Sequence, residues 1–225
     1  MLAQLRQRPL YFILLLILLI SGFFLCACLS KPGCFQLLNH IHTYFLDLLF
    51  INLTLAGNGW VSVALVIVFL LVKKRKEALT LLIAFISSGL FVQLLKHLYN
   101  SPRPHLYFNQ LMLSYNHFVK GVTLDNNNSF PSGHTASAFA MATVLALIFR
   151  HKSVSLLAVI LAALIGYSRI YLAEHFLSDV LAGALTGIVF AMLSYYIIWQ
   201  TDSRRVMESL AKTKRSFAWR KFKES

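Results

Sequence analysis

The sequence predicts an all-α fold: a polytopic membrane bundle of six transmembrane helices with an additional outer interfacial helix. Two observations predict it. Of the 225 residues, 58% are hydrophobic and only 13% are charged, and the apolar residues occur in long runs. This composition is too apolar for an ordinary soluble domain. Uncharged runs of nearly bilayer length indicate membrane helices, because a helix satisfies its own backbone hydrogen bonds in lipid.

The six predicted spans follow one another along the chain, and residues 100–130 form the longest outer loop between them. The first run carries no charge and has the full length of a bilayer span, whereas the shorter runs need their polar flanks to reach across. In chain order the spans are residues 10–29, 58–72, 79–95, 135–149, 153–168 and 177–199. Residues 1–200 are therefore expected to form one transmembrane domain, followed by a basic cytoplasmic tail over 201–225.

The segment between the first two spans has a mixed character. Residues 35–56 combine polar with apolar side chains, which favours a helix at the outer interface or a re-entrant segment. The sequence Gly57-Asn58-Gly59 then indicates a turn. Near the same outer end, Cys28 and Cys34 are close enough in sequence for a disulfide in an oxidising compartment, although buried free thiols in apolar helices are common.

The net charge of +13 is explained by membrane topology rather than by nucleic-acid binding. With a cytoplasmic N-terminus, alternating spans place 16 of the 21 Lys and Arg residues on the cytoplasmic side, including the whole C-terminal tail. This excess is typical of cytoplasmic loops. Both termini are therefore predicted to be cytoplasmic.

Three polar blocks fall at predicted helix ends on the opposite, extracytoplasmic side. Charged groups beside a bilayer are costly, so such a set is a functional-site hypothesis. Arg presents a planar fork that matches phosphate oxygens, and Lys acts as a point charge, so the cations suit a phosphoryl group. The blocks are Lys96 with Arg103-Pro104, then Pro131-Ser132-Gly133-His134, then Ser168-Arg169 with His175 and Asp179.

Local chemistry assigns further roles within the second and third blocks. Ser132 is a plausible helix N-cap, and Gly133 allows the backbone to approach an anion at the helix N-terminus. His134 is then placed to exchange a proton there. On a helix, His175 and Asp179 would share one face, so the carboxylate could orient the imidazole. Glu174 would point elsewhere and is expected at the surface.

The combination Lys96-x6-Arg103-Pro104, Pro131-Ser132-Gly133-His134 and Ser168-Arg169-x5-His175-x3-Asp179 resembles the three-part signature of the type 2 phosphatidic acid phosphatase (PAP2) and vanadium haloperoxidase superfamily. The resemblance implies a metal-independent phosphatase. In it, His175 attacks phosphorus and forms a phosphohistidine, Asp179 orients it, and His134 protonates the leaving oxygen. The residues implied to hold the phosphate are Lys96, Arg103, Ser132, Gly133 and Arg169. No metal or cofactor is expected, since the zinc-type spacings of His and Cys are lacking.

Membrane embedding predicts a lipid-linked phosphate as substrate, at the periplasmic face of a bacterial inner membrane. By analogy with the family, undecaprenyl diphosphate is the first choice and lipid A phosphate the second, with phosphatidylglycerophosphate and phosphatidic acid as further candidates. Two other functions stay open: a phosphotransferase that passes the phosphoryl group to another lipid, and a membrane transporter that binds phosphate without chemistry. The expected partners are membrane lipids and not nucleic acid, and no oligomeric state is predicted.

Overall fold

A computed structural model describes residues 9–115, 118–149 and 151–199, and within these ranges all regular secondary structure is helical. The predicted basic tail, 201–225, lies outside the described residues and stays a prediction. In chain order the helices are α1 (Pro9–Cys28), α2 (Lys31–Leu38), α3 (Tyr44–Leu55), α4 (Gly59–Leu71), α5 (Arg75–Tyr99), α6 (Pro104–Gln110), α7 (Gly133–Ile148), α8 (Lys152–Tyr171) and α9 (Leu177–Trp199).

The helices agree with a membrane bundle, but they do not establish six spans. Within the described ranges, α1, α8, α9 and the segment that begins with α5 are long and apolar enough to cross a membrane. Helices α3 and α4 meet at a bend of 52° and together could form a fifth span. Helix α7 has only 16 residues, which is short for a span. The predicted all-helical bundle is confirmed, and the count of six stays a prediction.

Helix α7 lies at the centre of the bundle, packed against α5 and α8. It can be central because small side chains let its neighbours approach closely. Gly187 of α9 faces this surface, where an added Cβ would lie 2.3 Å from the Ala136 carbonyl oxygen. One turn earlier, a Cβ on Gly183 would lie 2.4 Å from the carbonyl oxygen of Ser132. This close contact fixes the N-terminal end of α9 beside that of α7.

The segment with mixed polarity forms two helices. Ser30 caps α2 and Thr43 caps α3, each through a side-chain oxygen that accepts a backbone N–H. Helix α3 packs against α8, and the predicted turn at Gly57-Asn58-Gly59 separates it from α4. A location of α2 or α3 at the membrane interface stays a prediction. Cys28 and Cys34 are not joined, since all three cysteines are free thiols.

Candidate active site

The three polar blocks are brought together at one end of the bundle. Lys96 lies in the last turn of α5 and Arg169 in the last turn of α8, while Ser132 caps the start of α7. His134 lies close enough to four groups of the other blocks for their charges to act on its imidazole: Lys96, Arg103, Arg169 and His175. The cations and both histidines that the sequence singled out therefore share one site.

Backbone hydrogen bonds join the first block to the loop that precedes the second. The Arg103 N–H donates to the Asn126 carbonyl oxygen at 2.8 Å, and the Ser129 N–H donates to the Ser101 carbonyl oxygen at 3.0 Å. The Arg103 Nε also donates to the Asn127 carbonyl oxygen at 3.0 Å. The long outer loop thus folds back on the proline-flanked segment and holds the guanidinium of Arg103 in place.

The second and third blocks are joined through Asp179. Its carbonyl oxygen accepts the Ser132 N–H at 3.0 Å, and its Oδ2 accepts the Ser129 hydroxyl at 2.5 Å. Both serines are fully buried. Because buried polar groups are costly unless they are paired, these bonds fix the start of α9 against the start of α7.

Ser132 caps α7 as the sequence predicts. Its Oγ accepts the Thr135 N–H at 3.4 Å and the Thr135 hydroxyl at 2.8 Å. Gly133 and His134 begin the helix and are only partly buried. Free N–H groups and the positive end of the helix dipole therefore lie beside the cations, which is a favourable arrangement for an anion.

His175 and Asp179 lie close together, although not on one helix as expected. Helix α9 begins at Leu177, so His175 belongs to the turn before it. The His175 Nδ1 lies 3.9 Å from the Asp179 Oδ2, which is longer than a hydrogen bond. Asp179 Oδ2 instead accepts the Phe176 N–H at 3.0 Å, besides the Ser129 hydroxyl. The carboxylate is held by donors and still faces the imidazole.

The His175 imidazole is neutral in this arrangement. Its side chain is 2% exposed. Burial lowers its pKa to about 4; the Asp179 carboxylate opposes the change, and the positive charge of Arg169 adds to it. A neutral imidazole has an unprotonated nitrogen, which is what a nucleophile needs.

Glu174 is not a surface residue, so that expectation is wrong. Its carboxylate is buried, forms an ion pair with the Arg103 guanidinium, and lies 3.5 Å from Nη2 of Arg169. The helix periodicity used to place it does not apply, because α8 ends at Tyr171 and Ala173 adopts a left-handed backbone conformation with φ of 57°. That turn directs the side chain inward.

Two more site contacts were missed by the sequence reasoning. Nη1 of Arg169 donates to the Thr54 Oγ1 at 2.5 Å, so α3 contributes to the site. Ser129 donates to Asp179. No motif marks Thr54, whereas the position of Ser129 just before the Pro131 block was a signal that could have been followed.

Comparisons with known proteins agree with the three blocks. Residues 77–203 match the profile of the PAP2 superfamily. The chain is 28% identical to the undecaprenyl-diphosphatase of Sulfolobus acidocaldarius over 194 residues, which cover 83% of this chain and 90% of that protein. It is 46% identical to the lipid A 1-phosphatase of Porphyromonas gingivalis over 72 residues, 31% of this chain and only 16% of that protein.

Solved structures also resemble this one. The crystal structure of Aquifex aeolicus LpxE has a TM-score of 0.65 and 32% identity, over 74% of this chain and 94% of that chain. A PAP2-type phosphatidylglycerolphosphate phosphatase from Bacillus subtilis has a TM-score of 0.62 over 89% of this chain and 97% of that chain. Its 22% identity shows a likeness of fold alone. The chain belongs to the PAP2 superfamily, as an integral membrane protein and a phosphoric ester hydrolase.

Proposed function

We propose that this protein is a metal-independent lipid phosphatase that acts through a phosphohistidine at the extracytoplasmic face of a bacterial inner membrane. The observation that carries the proposal is the convergence of cations on the two site histidines: the charges of Arg103 and Arg169 act on the buried, neutral His175, and those of both arginines and Lys96 act on His134. Cations stabilise the charge on the oxygens of a phosphoryl group during transfer. A protein that only bound phosphate would need the cations but not a histidine faced by a carboxylate. The cations are Lys96, Arg103 and Arg169.

In the first proposed step, His175 attacks phosphorus through Nε2, because Nδ1 faces Asp179. The N–P bond forms as the P–O bond to the lipid breaks, and a protonated His134 gives its proton to the leaving oxygen. Burial and the nearby cations lower the pKa of His134 to about 3, so it carries this proton only when the negative charge of the bound phosphate offsets those cations. The imidazole becomes positively charged, and the Asp179 carboxylate stabilises it. In the second step, water attacks the phosphohistidine and gives a proton to His134, and inorganic phosphate leaves.

The exposure of the site supports a substrate that arrives along α5. Lys96, Gly133 and His134 are partly exposed, whereas Arg169 and His175 are buried. Lys96 therefore borders the open side of the site.

The space below that open side suits a hydrocarbon chain. Gly89 and Gln93 lie on the same face of α5 as Lys96, at helical spacings of seven and three residues. An added Cβ on Gly89 would have no heavy atom within 4 Å. The space beside Gly89 is thus open, and a lipid chain can lie there while its phosphate reaches the cations.

The proposed orientation follows from charge along α5. Lys76 and Lys96 are 20 residues apart on this one helix, which places them about 30 Å apart, the thickness of a bilayer's hydrocarbon core. The cluster of cations at 73–76 is of the type found at the cytoplasmic side. The site at the other end of α5 would then face the periplasm.

Undecaprenyl diphosphate is the proposed substrate, because the Sulfolobus acidocaldarius undecaprenyl-diphosphatase aligns with most of both chains. A lipid A phosphate is the second candidate, favoured by the 46% identity to the lipid A 1-phosphatase of Porphyromonas gingivalis within a short region. The site residues are assigned to the phosphate group and none to the rest of the lipid, so the choice between the two lipids rests on these relatives.

The test is phosphate release from purified protein in detergent with a metal chelator present. The panel contains undecaprenyl diphosphate, a lipid A phosphate, phosphatidylglycerophosphate and phosphatidic acid. We expect release that persists without metal and is highest for undecaprenyl diphosphate. His175→Ala should abolish it, and His97→Ala, at an exposed histidine beside Lys96, should not. Full activity of His175→Ala would contradict the mechanism.

A second measurement separates hydrolysis from transfer. The enzyme is given a substrate with radiolabelled phosphorus and an excess of an unlabelled acceptor lipid. Hydrolysis predicts label in inorganic phosphate, whereas a phosphotransferase predicts labelled acceptor lipid. Label trapped on the protein, stable to alkali and lost in acid, is expected from a phosphohistidine in either case.

A further inference from the structure

The Glu174 carboxylate pairs with the two arginines that a bound phosphate would need. Its carboxylate contacts the Arg103 guanidinium and lies 3.5 Å from Nη2 of Arg169. Both arginines are implicated in phosphate binding by the sequence signature, and Glu174 is the residue immediately before His175. A carboxylate and a phosphate present similar oxygen pairs to a guanidinium fork. The side chain is therefore in the position of a competing anion.

The burial of these groups makes the competition strong. The side chains of Arg103, Arg169 and Glu174 are between 8% and 10% exposed. Like charges in a poorly hydrated site repel, so the arginines require an anion when no phosphate is bound. A bound phosphate brings its own negative charge, and the same arginines cannot keep full contact with both anions.

The turn that carries Glu174 fixes the backbone of this residue, but its side chain can still rotate. The N–H groups of Glu174 and His175 both donate to the Arg169 carbonyl oxygen, at 3.0 and 3.1 Å. The turn can therefore stay in place while rotation about the side-chain bonds of Glu174 moves its carboxylate off the arginines. Displacement requires no change in the position of His175.

We propose that the Glu174 carboxylate competes with phosphate ligands for Arg103 and Arg169 and so sets the phosphate affinity of the site. This inference rests on the proposed phosphatase function. Free phosphate and soluble phosphate esters bind weakly, because each must displace the carboxylate. A lipid phosphate must displace it too, but the membrane holds the lipid at high effective concentration beside the site, which offsets the weaker binding. The same competition favours release of inorganic phosphate after each turnover.

The experiment measures inhibition by inorganic phosphate and by orthovanadate in Glu174→Gln, which keeps the shape and removes the charge. We expect the inhibition constants to fall about tenfold, equivalent to about 1.4 kcal/mol. The KM for the soluble ester para-nitrophenyl phosphate should fall similarly, with kcat not raised. The matched control is Asp125→Asn, because Asp125 also pairs with Arg103, at 3.1 Å, but is 68% exposed. Its inhibition constants should change less than twofold.

Ligand-induced thermal stabilisation gives a readout that does not depend on turnover. Phosphate should raise the melting temperature of Glu174→Gln more than that of the wild-type protein. If Glu174→Gln does not fold, Glu174→Asp replaces it, because its shorter side chain cannot span both arginines and should also strengthen phosphate binding.

Unchanged or weaker phosphate binding in these variants, or an equal gain in Asp125→Asn, would overturn the inference. In that case Glu174 would only hold the arginines in place. An inactive wild-type enzyme on every lipid would count against the proposed function instead, and the thermal measurement would still decide the role of Glu174.

Discussion

The Ser129 hydroxyl donates to Oδ2 of Asp179 across 2.5 Å, and both side chains are almost completely buried. This bond runs from the outer loop to the carboxylate that faces His175. The same Oδ2 also accepts the Phe176 N–H. The orientation of the carboxylate therefore depends on a residue that is not part of the recognised signature.

We expect Ser129→Ala to lower kcat. A hydrogen bond to a charged group contributes about 1.5–3 kcal/mol, so a loss of roughly 10- to 100-fold is expected if Asp179 stabilises the charged imidazole in the transition state. KM should change little, because Ser129 does not contact the phosphate cations. The control is Ser178→Ala, since Ser178 donates to Oδ1 over a longer 3.2 Å and is partly exposed. Equal losses in both variants would contradict a special role for Ser129.

The pH dependence of kcat/KM tests the protonation state of His175. Because burial lowers its pKa to about 4, the neutral, nucleophilic form persists as pH falls through the usual histidine range near 6.5. The acid limb of kcat/KM, which reports the free enzyme, should therefore have its midpoint near 4. A midpoint near 6.5 would show that the imidazole is hydrated in the free enzyme.

Asp179→Asn should move the acid limb of the kcat/KM profile to lower pH. The Asp179 carboxylate favours the protonated imidazole and so raises the His175 pKa against the effect of burial. Without the negative charge, the acid limb should lie at still lower pH, while kcat falls because the imidazolium formed during transfer loses its partner. Circular dichroism at each pH separates loss of activity from unfolding. A limb that moves to higher pH would contradict the assignment.

The close contact between α7 and α9 predicts a sharp difference between two glycine substitutions. In Gly183→Ala the new Cβ would meet the Ser132 carbonyl oxygen at 2.4 Å, so the helices must separate at the site. Overpacking of this kind costs about 1–3 kcal/mol, and kcat should fall with stability. Gly89→Ala is the control, because its Cβ enters open space. Thermal unfolding in detergent measures the stability of both variants. Equal melting temperatures for Gly183→Ala and Gly89→Ala would contradict the close contact between α7 and α9.

The sequence was most informative where function depends on local geometry. The Ser132 cap, the Gly57-Asn58-Gly59 turn and the helical nature of the bundle follow from residues that are neighbours in the chain. The charge pattern also predicts that Lys96 and Arg169 lie on one side of the membrane. These features need only the helical period and the chemistry of helix ends.

The remaining features depend on tertiary contacts or on a break in helical geometry. Thr54 reaches Arg169 across 115 positions of sequence, and no local pattern marks such a pair. Glu174 was placed wrongly because helical periodicity was extended through a turn in which Ala173 is left-handed. A left-handed alanine is uncommon and has no signature in a single sequence.

Thr54 predicts a role for α3 in phosphate binding. Its Oγ1 accepts a hydrogen bond from Nη1 of Arg169 at 2.5 Å, within a buried contact. Thr54→Val keeps the shape and removes the acceptor, so the guanidinium loses one of the groups that aim it at the phosphate. We expect KM to rise about tenfold, the effect of losing about 1.4 kcal/mol of binding. Thr54→Ser keeps the hydroxyl and should bind substrate nearly as the wild type does. If Thr54→Val and Thr54→Ser raise KM equally, the methyl group and its packing matter rather than the hydrogen bond, and α3 only supports the bundle.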